Sequence, residues 1–107
     1  MSGLTPIGVK CMRRNPAAEV TLHGFAVTDA PGLAVTLNIE DFCEGRWEVT
    51  HIASGVAVLP TRGRFKSAAK AAEAARRLSP LADWTQDADV LRAIPDLKAR
   101  IVAAVDA

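Results

Sequence analysis

The chain has few aromatic residues and few cysteines, and both shortages limit what it can be. Its 107 residues include three Phe, two Trp and no Tyr. That is a thin supply for a protein that binds single strands by stacking bases on aromatic rings. The two cysteines, Cys11 and Cys43, form no C-x-x-C pair, and we expect both to be reduced thiols. A Cys11–Cys43 disulfide is an alternative that nothing in the sequence supports.

Long apolar runs are also lacking. No run approaches the roughly 20 residues that a membrane-spanning helix needs. The opening MSGLTPIGVK has no charged region followed by an apolar core, so no secretion signal is visible. We therefore expect a cytoplasmic protein with no membrane partner. The length predicts a single domain over residues 1–107, with one hydrophobic core.

The net charge is only +1 at pH 7, which leaves no overall electrostatic footprint for nucleic acid or membrane. The charges are nevertheless unevenly placed along the chain. Acidic residues concentrate in 29–48 and basic residues in 49–77. The basic segment is the one local feature of charge that calls for an interpretation.

Alternating apolar residues predict a β-sheet. The clearest alternation covers residues 33–39, and further strands are predicted over 20–28, 46–52 and 56–59, with a short edge strand at 7–11. The phase of the alternation changes at His23-Gly24, which makes Gly24 a candidate β-bulge. The connections are short, so they favour an antiparallel meander.

Helices are predicted after the strands. Residues 68–78 carry six alanines, the strongest helix formers, and Ser67 is placed as the N-cap. Ser79 is a second candidate N-cap, followed by Pro80 at a first helical position. A short helix is predicted over 87–94, and a last one from Leu97 to the carboxy terminus, on the helical spacing of apolar residues there.

Together these elements predict an α+β fold: a four-stranded antiparallel meander with an alanine-rich helix and a helical C-terminal tail packed on one face. The other face is expected to be either solvated or a partner surface, and it carries Thr36, Asn38, Glu48 and Thr50. Unpaired edges of such an open sheet make a homodimer a further hypothesis. The predicted core consists of Leu33, Val35, Leu37, Ile39, Trp47, Val49, Ala72, Ala75 and Leu78.

Four residues are of the types that zinc prefers: Cys11, His23, Cys43 and His51. Ligand pairs in small zinc domains usually lie close together in sequence, and these four are widely spaced. The sequence therefore favours ordinary thiols and structural histidines. We expect no metal and no other cofactor.

A catalytic histidine needs a nucleophile and an orienting carboxylate in contact with it, and the residues around His51 do not supply a complete set. Thr50 is its neighbour on a strand and points to the opposite face, while Ser54 lies in a turn, where Ser is common for backbone reasons. We expect His51 to pack near Trp47 and to bond a backbone group. No phosphate-binding glycine loop or serine elbow is present, so we expect a protein that is not an enzyme and has no catalytic residue.

The basic loop Arg62-Gly63-Arg64-Phe65-Lys66 leads directly into the alanine-rich helix. Arg side chains, backbone N–H groups and the positive end of a helix dipole together favour anions. With Lys70 one turn further on, the sequence predicts a nucleic-acid or anion site formed by Arg62, Arg64, Lys66 and Lys70. The alternative is a solvated loop whose arginines pair with acids such as Glu44 or Glu48.

The segment KSAAKAAEAARRL, residues 66–78, resembles the second helix of double-stranded-RNA-binding domains. That resemblance implies a related shape of β-sheet plus helix. The matching residues are Lys66, Ala69, Lys70, Ala74 and Leu78, and the departures are Ser67, Glu73 and Arg77.

A broader likeness covers residues 47–84, where W-x-V-T-H-x-x-S-G-x-A-V precedes the helix and Asp83-Trp84. This pattern resembles uncharacterised small proteins of actinobacterial phages and plasmids, which implies a mobile-element accessory role. The residues that carry it are Trp47, Val49, Thr50, His51, Ser54, Gly55, Ala57, Val58, Ser67, Leu78, Asp83 and Trp84.

The leading interpretation is a non-catalytic interaction protein, of phage or mobile-element type, that binds a host or element-encoded protein. The alternative is a nucleic-acid-binding module that uses the basic loop and the helix N-terminus.

Overall fold

A computed structural model of the chain describes residues 3–14, 17–38, 45–58 and 61–106. The fold is α+β, as predicted, and the sheet is an antiparallel meander in the order β1-β2-β3-β4-β5. Within the described residues it has five strands where four were predicted. The elements are β1 (Leu4–Arg14), β2 (Ala17–Val27), β3 (Leu33–Leu37), β4 (Trp47–His51), β5 (Val56–Ala57), α1 (Ala68–Leu78), α2 (Ala88–Arg92) and α3 (Leu97–Val105).

The extra strand is β1, which is much longer than the short edge strand expected at 7–11. It pairs with β2 in one unbroken antiparallel register, from Leu4↔Val27 to Arg14↔Ala17. The β-bulge expected at Gly24 is therefore absent. Instead, the pairing between β2 and β3 covers only three residues, from Gly24 to Ala26. The distal part of the β1–β2 hairpin consequently extends beyond the rest of the sheet.

This distal hairpin covers the sheet face that was expected to be solvated or to bind a partner, so that expectation is wrong. Val9 and Leu22 form a second buried cluster with Ala34 of β3. Thr36 and Thr50 are fully buried on the same face. Their polar side chains misled the prediction, because alternation shows which residues share a face but not what covers it.

The β1–β2 hairpin also contacts the turn between β4 and β5. Lys10 of β1 lies so close to the turn before β5 that a Cβ atom on Gly55 would overlap the Lys10 carbonyl oxygen. Gly55 has φ +71°, so two separate requirements favour glycine at this position. The sheet thus curls until its first strand touches the turn that leads to its last.

The helix face holds the main core. Leu33, Val35 and Val49 are fully buried there against the alanines of α1. Leu37, predicted to be core, is 40% exposed because it lies at the far end of β3, outside this cluster. Trp47 is half-buried. Ile39 lies outside the described residues.

Helix α1 begins and ends where the sequence predicts. Ser67 is its N-cap, and the Ser67 hydroxyl accepts the Lys70 backbone N–H at 3.2 Å. Its small buried side chains let it lie close to β3 and β4, and α3 packs against α1. Ser79 is the C-cap of α1, where the sequence suggested a new N-cap. Its neighbour Pro80 lies in a short 3-10 turn over Ser79–Leu81.

Candidate functional site

An apolar groove lies on the helix face of the sheet, beyond the end of the α1 contact. Phe25 of β2 and Trp47 of β4 stack across it, with ring centroids 6.0 Å apart and planes inclined by 26°. Leu37 pairs with Trp47 in the β3–β4 register and supplies the exposed side chain. The groove has a volume of about 620 Å³. Large apolar side chains left uncovered on a small domain are typical of binding surfaces.

The chemistry of the groove follows from its lining. The residues around the aromatic pair are Pro6, Ile7, Gly8, Thr21, His23 and Gly24. No Lys, Arg, Asp or Glu is among the described lining residues. The groove therefore selects apolar groups and offers little to a charged ligand.

The sequence placed Leu37 and Trp47 in the core and gave Phe25 no role, so it missed this groove. Phe25 and Trp47 meet only because β3 lies between their strands and aligns them. One signal was available: the alternation changes phase at His23-Gly24, and it puts Phe25 on the face opposite to Leu22. That change marks the point where β2 leaves β3.

The basic loop is held in place by its backbone. The Gly63 N–H donates to Oε1 of Glu48 at 2.9 Å, and Asn38 Nδ2 donates to the same oxygen at 2.5 Å. Thr61 is buried, and its hydroxyl bonds the Val49 backbone in both directions. It accepts the Val49 N–H at 3.2 Å and donates to the Val49 carbonyl oxygen at 3.2 Å. A carboxylate of the protein thus already occupies the anion position that the Gly63 N–H offers.

The four predicted anion-binding residues have different surroundings. Arg64 forms an ion pair with Asp106 beyond α3, at 2.8 Å. Arg62 lies within electrostatic reach of Cys11 on β1: burial raises the pKa of the Cys11 thiol, Glu48 raises it further, and Arg62 opposes them. Lys66 and Lys70 are exposed.

The helix N-terminus that these cations flank is already partly satisfied, because Ser67 holds the Lys70 N–H. The structure therefore keeps Lys66 and Lys70 near one helix end, while Arg64 is engaged by Asp106.

His51 is buried and engaged at both ring nitrogens. Nε2 lies 2.8 Å from the Gln86 carbonyl oxygen, and Nδ1 lies 2.8 Å from the Ser54 hydroxyl. Because a carbonyl can only accept, Nε2 carries a proton, and in the neutral ring the Ser54 hydroxyl donates to Nδ1. The bond to a backbone group agrees with the expectation. The aromatic neighbour, however, is Trp84, at 6.4 Å between ring centroids, and not Trp47.

The candidate zinc ligands that the structure describes are not grouped together. Cys11 is on β1 facing the second cluster, His51 is tied to Gln86, and Cys43 lies outside the described residues. Within the described part of the chain, no three His, Cys, Asp or Glu side chains are grouped as metal ligands would be. In the same residues, no helix is both long enough and apolar enough to cross a bilayer.

Comparison of the chain with models of protein families, with curated proteins and with solved structures finds no match.

Proposed function

We propose that this chain is a non-catalytic interaction protein, an accessory protein of a phage or other mobile element, that binds a host or element-encoded protein. The observation that carries the proposal is the groove of Phe25, Leu37 and Trp47. Trp and other aromatic residues dominate the energetics of protein interfaces. The resemblance of residues 47–84 to small proteins of actinobacterial phages and plasmids supports the accessory role.

The groove indicates what the partner presents. Its described lining is uncharged, and the stacked rings leave a concave apolar surface beside Leu37. An apolar side chain projecting from a folded partner protein fits this chemistry. The 40% exposure of Leu37 places it at the rim, where it would contact the partner first.

The test is photo-crosslinking in living actinobacterial cells. A benzophenone amino acid replaces Leu37 in one strain and Val90 in a control strain. Val90 is a matched site because it is an apolar side chain, 47% exposed, on α2. We expect a discrete crosslinked protein from position 37 that position 90 does not give, and that Trp47→Ala abolishes.

Three outcomes would overturn the proposal. One is the absence of a crosslinked partner, and another is the same products from both positions. The third is a crosslink to a second copy of this chain, which would show a homodimer surface instead. Circular dichroism on Trp47→Ala separates loss of binding from loss of fold.

The second candidate is the nucleic-acid-binding module, and a specific observation favours it. Lys66 and Lys70 are exposed close to the α1 N-terminus, and no acidic residue among those described forms an ion pair with either. Arg62 is exposed on the same loop. A phosphate backbone would find at least two cations there.

Fluorescence anisotropy with duplex RNA and DNA at several salt concentrations tests this candidate. Phosphate contacts give a steep salt slope, and removing one contact lowers the slope by about 1. We expect Lys66→Gln to do so, with Lys98→Gln on α3 as the control. No binding at low salt would eliminate the candidate.

A further inference from the structure

A second cleft lies between the sheet edge and the C-terminal helices, and it shares no described lining residue with the first groove. Its volume is about 560 Å³. One wall is β5 with the Ser54 turn, and the opposite wall is formed by α2 and α3. Its apolar floor consists of Trp84, Leu91, Leu97 and Ile101, each of them less than a tenth exposed. The floor of the cleft is therefore made of side chains that belong to the main core.

The β5 wall carries an open hydrogen-bonding edge. Among the described strands, β5 is the last of the sheet and pairs only with β4. The Val58 N–H donates to the Val49 carbonyl at 2.8 Å. In an antiparallel ladder the next residue points its N–H and C=O the other way, so both groups of Ala57 face away from β4. Val56 beside it is 55% exposed.

An extended peptide segment fits this edge, because the main chain of a β-strand can pair with the N–H and the C=O of Ala57 at once. The neighbouring pocket would then take an apolar side chain of that segment. The edge is short, with Val56–Ala57 as the whole strand. A short edge matches the last few residues of a chain better than the middle of a long strand.

The charged residues at the rim of the cleft also favour the end of a peptide chain as the ligand. Arg92 and Lys98 line the cleft against a single acid, Asp96, among the described lining residues. Arg92 already bonds Asp89 at 3.0 Å, which leaves Lys98 as the cation best placed to meet a new anion. The free carboxylate at the end of a peptide is such an anion, and Lys binds it as a point charge.

We propose that the cleft between β5 and helices α2 and α3 binds the carboxyl-terminal segment of a partner protein by strand addition. The main chain of the segment pairs with Ala57, its terminal apolar side chain enters the pocket above Trp84, and its carboxylate meets Lys98. This site is separate from the Phe25–Trp47 groove and does not depend on it.

The first test uses fluorescein-labelled hexapeptides with alternating Thr and ending in Val, Leu, Ile or Phe, each made as a free acid and as a C-terminal amide. We expect at least one free acid to bind with a Kd below roughly 100 μM, and its amide to bind at least about ten-fold more weakly. Absence of binding by every free acid up to about 1 mM, or equal binding of acid and amide, would overturn the proposal.

Variants locate the bound peptide. Ala57→Pro removes the outward N–H on an edge that tolerates proline, and we expect at least a ten-fold loss of affinity. Ala57→Ser keeps the N–H and serves as the matched control, with binding within about two-fold of the original. Unchanged binding by Ala57→Pro would contradict strand addition.

If Ala57→Pro does not fold, the original protein still gives an answer by ¹⁵N NMR. Peptide binding must shift the amide resonances of Ala57 and Lys98 and leave that of Lys70, on α1, unmoved. Shifts elsewhere only would overturn the assignment. Light scattering that shows a dimer abolished by Ala57→Pro would make a second copy of this chain the occupant, which also overturns it.

Discussion

Replacing Thr36 by Val removes one hydroxyl from a pair that is buried on the sheet face covered by the β1–β2 hairpin. The Thr36 and Thr50 hydroxyl oxygens lie 2.7 Å apart, and both residues are 0% exposed. A buried hydroxyl that loses its partner costs about 1–3 kcal/mol. Each single change, Thr36→Val or Thr50→Val, should therefore lower the free energy of unfolding by that amount.

The double variant should behave differently. With both hydroxyls replaced by methyl groups of the same shape, no unsatisfied group remains, and such a replacement is close to neutral. We expect the double variant to be within about 1 kcal/mol of the original protein, so that its loss is smaller than the sum of the single losses by about 2 kcal/mol.

Urea unfolding followed by circular dichroism measures these values, with a single-variant midpoint lower by about 1 M for a domain of this size. Thr21→Val is the control, because Thr21 is an exposed threonine of β2 and should change stability by less than about 0.5 kcal/mol. If Thr36→Val also costs less than about 0.5 kcal/mol, water reaches that face, and the conclusion that the β1–β2 hairpin covers it is wrong.

Three further predictions concern turns, caps and charge. Gly32→Ala should destabilise by at least about 2 kcal/mol in thermal melts, because φ at Gly32 is +88° and a Cβ would overlap the Trp84 backbone; a loss below about 0.5 kcal/mol would contradict this. Ser67→Ala should cost about 1 kcal/mol through the lost N-cap, whereas Ser67→Asp should retain stability. Arg76 donates to Asp29 and holds the pKa of that carboxyl below its usual value. The Arg76–Asp29 ion pair thus stabilises the fold above about pH 4, and this contribution is lost as pH falls through the lowered pKa. Asp29→Asn should therefore make the free energy of unfolding less dependent on pH in the acid range.

The helices could be predicted because their signals are local. The alanines and the Ser67 cap act within a few residues, and they fixed the bounds of α1 at Ala68–Leu78. The meander was likewise predictable, since short connections join neighbouring strands. These features need no knowledge of distant parts of the chain.

The covering of the two sheet faces could not be predicted in the same way. Thr36 looked like a surface residue and Leu37 like a core residue, yet their exposures are reversed. The outcome depends on where α1 stops and on how far the β1–β2 hairpin reaches, which are long-range properties. The Phe25–Trp47 groove was missed for the same reason, because it exists only where α1 leaves that end of the sheet uncovered.

The contact between Lys10 and Gly55 has a consequence for how the chain folds. Every ladder between the described strands joins elements that are neighbours in sequence, so each pairing closes a short loop at a small entropic cost. The Lys10–Gly55 contact instead joins residues 45 positions apart and seals the second cluster. We expect this closure to follow the transition state, so that changes at Val9 or Leu22 speed unfolding and leave the folding rate nearly unchanged. Stopped-flow kinetics in urea measures both rates. We expect changes in the β1–β2 hairpin to alter mainly the unfolding rate, and changes in α1, β3 and β4 to alter the folding rate.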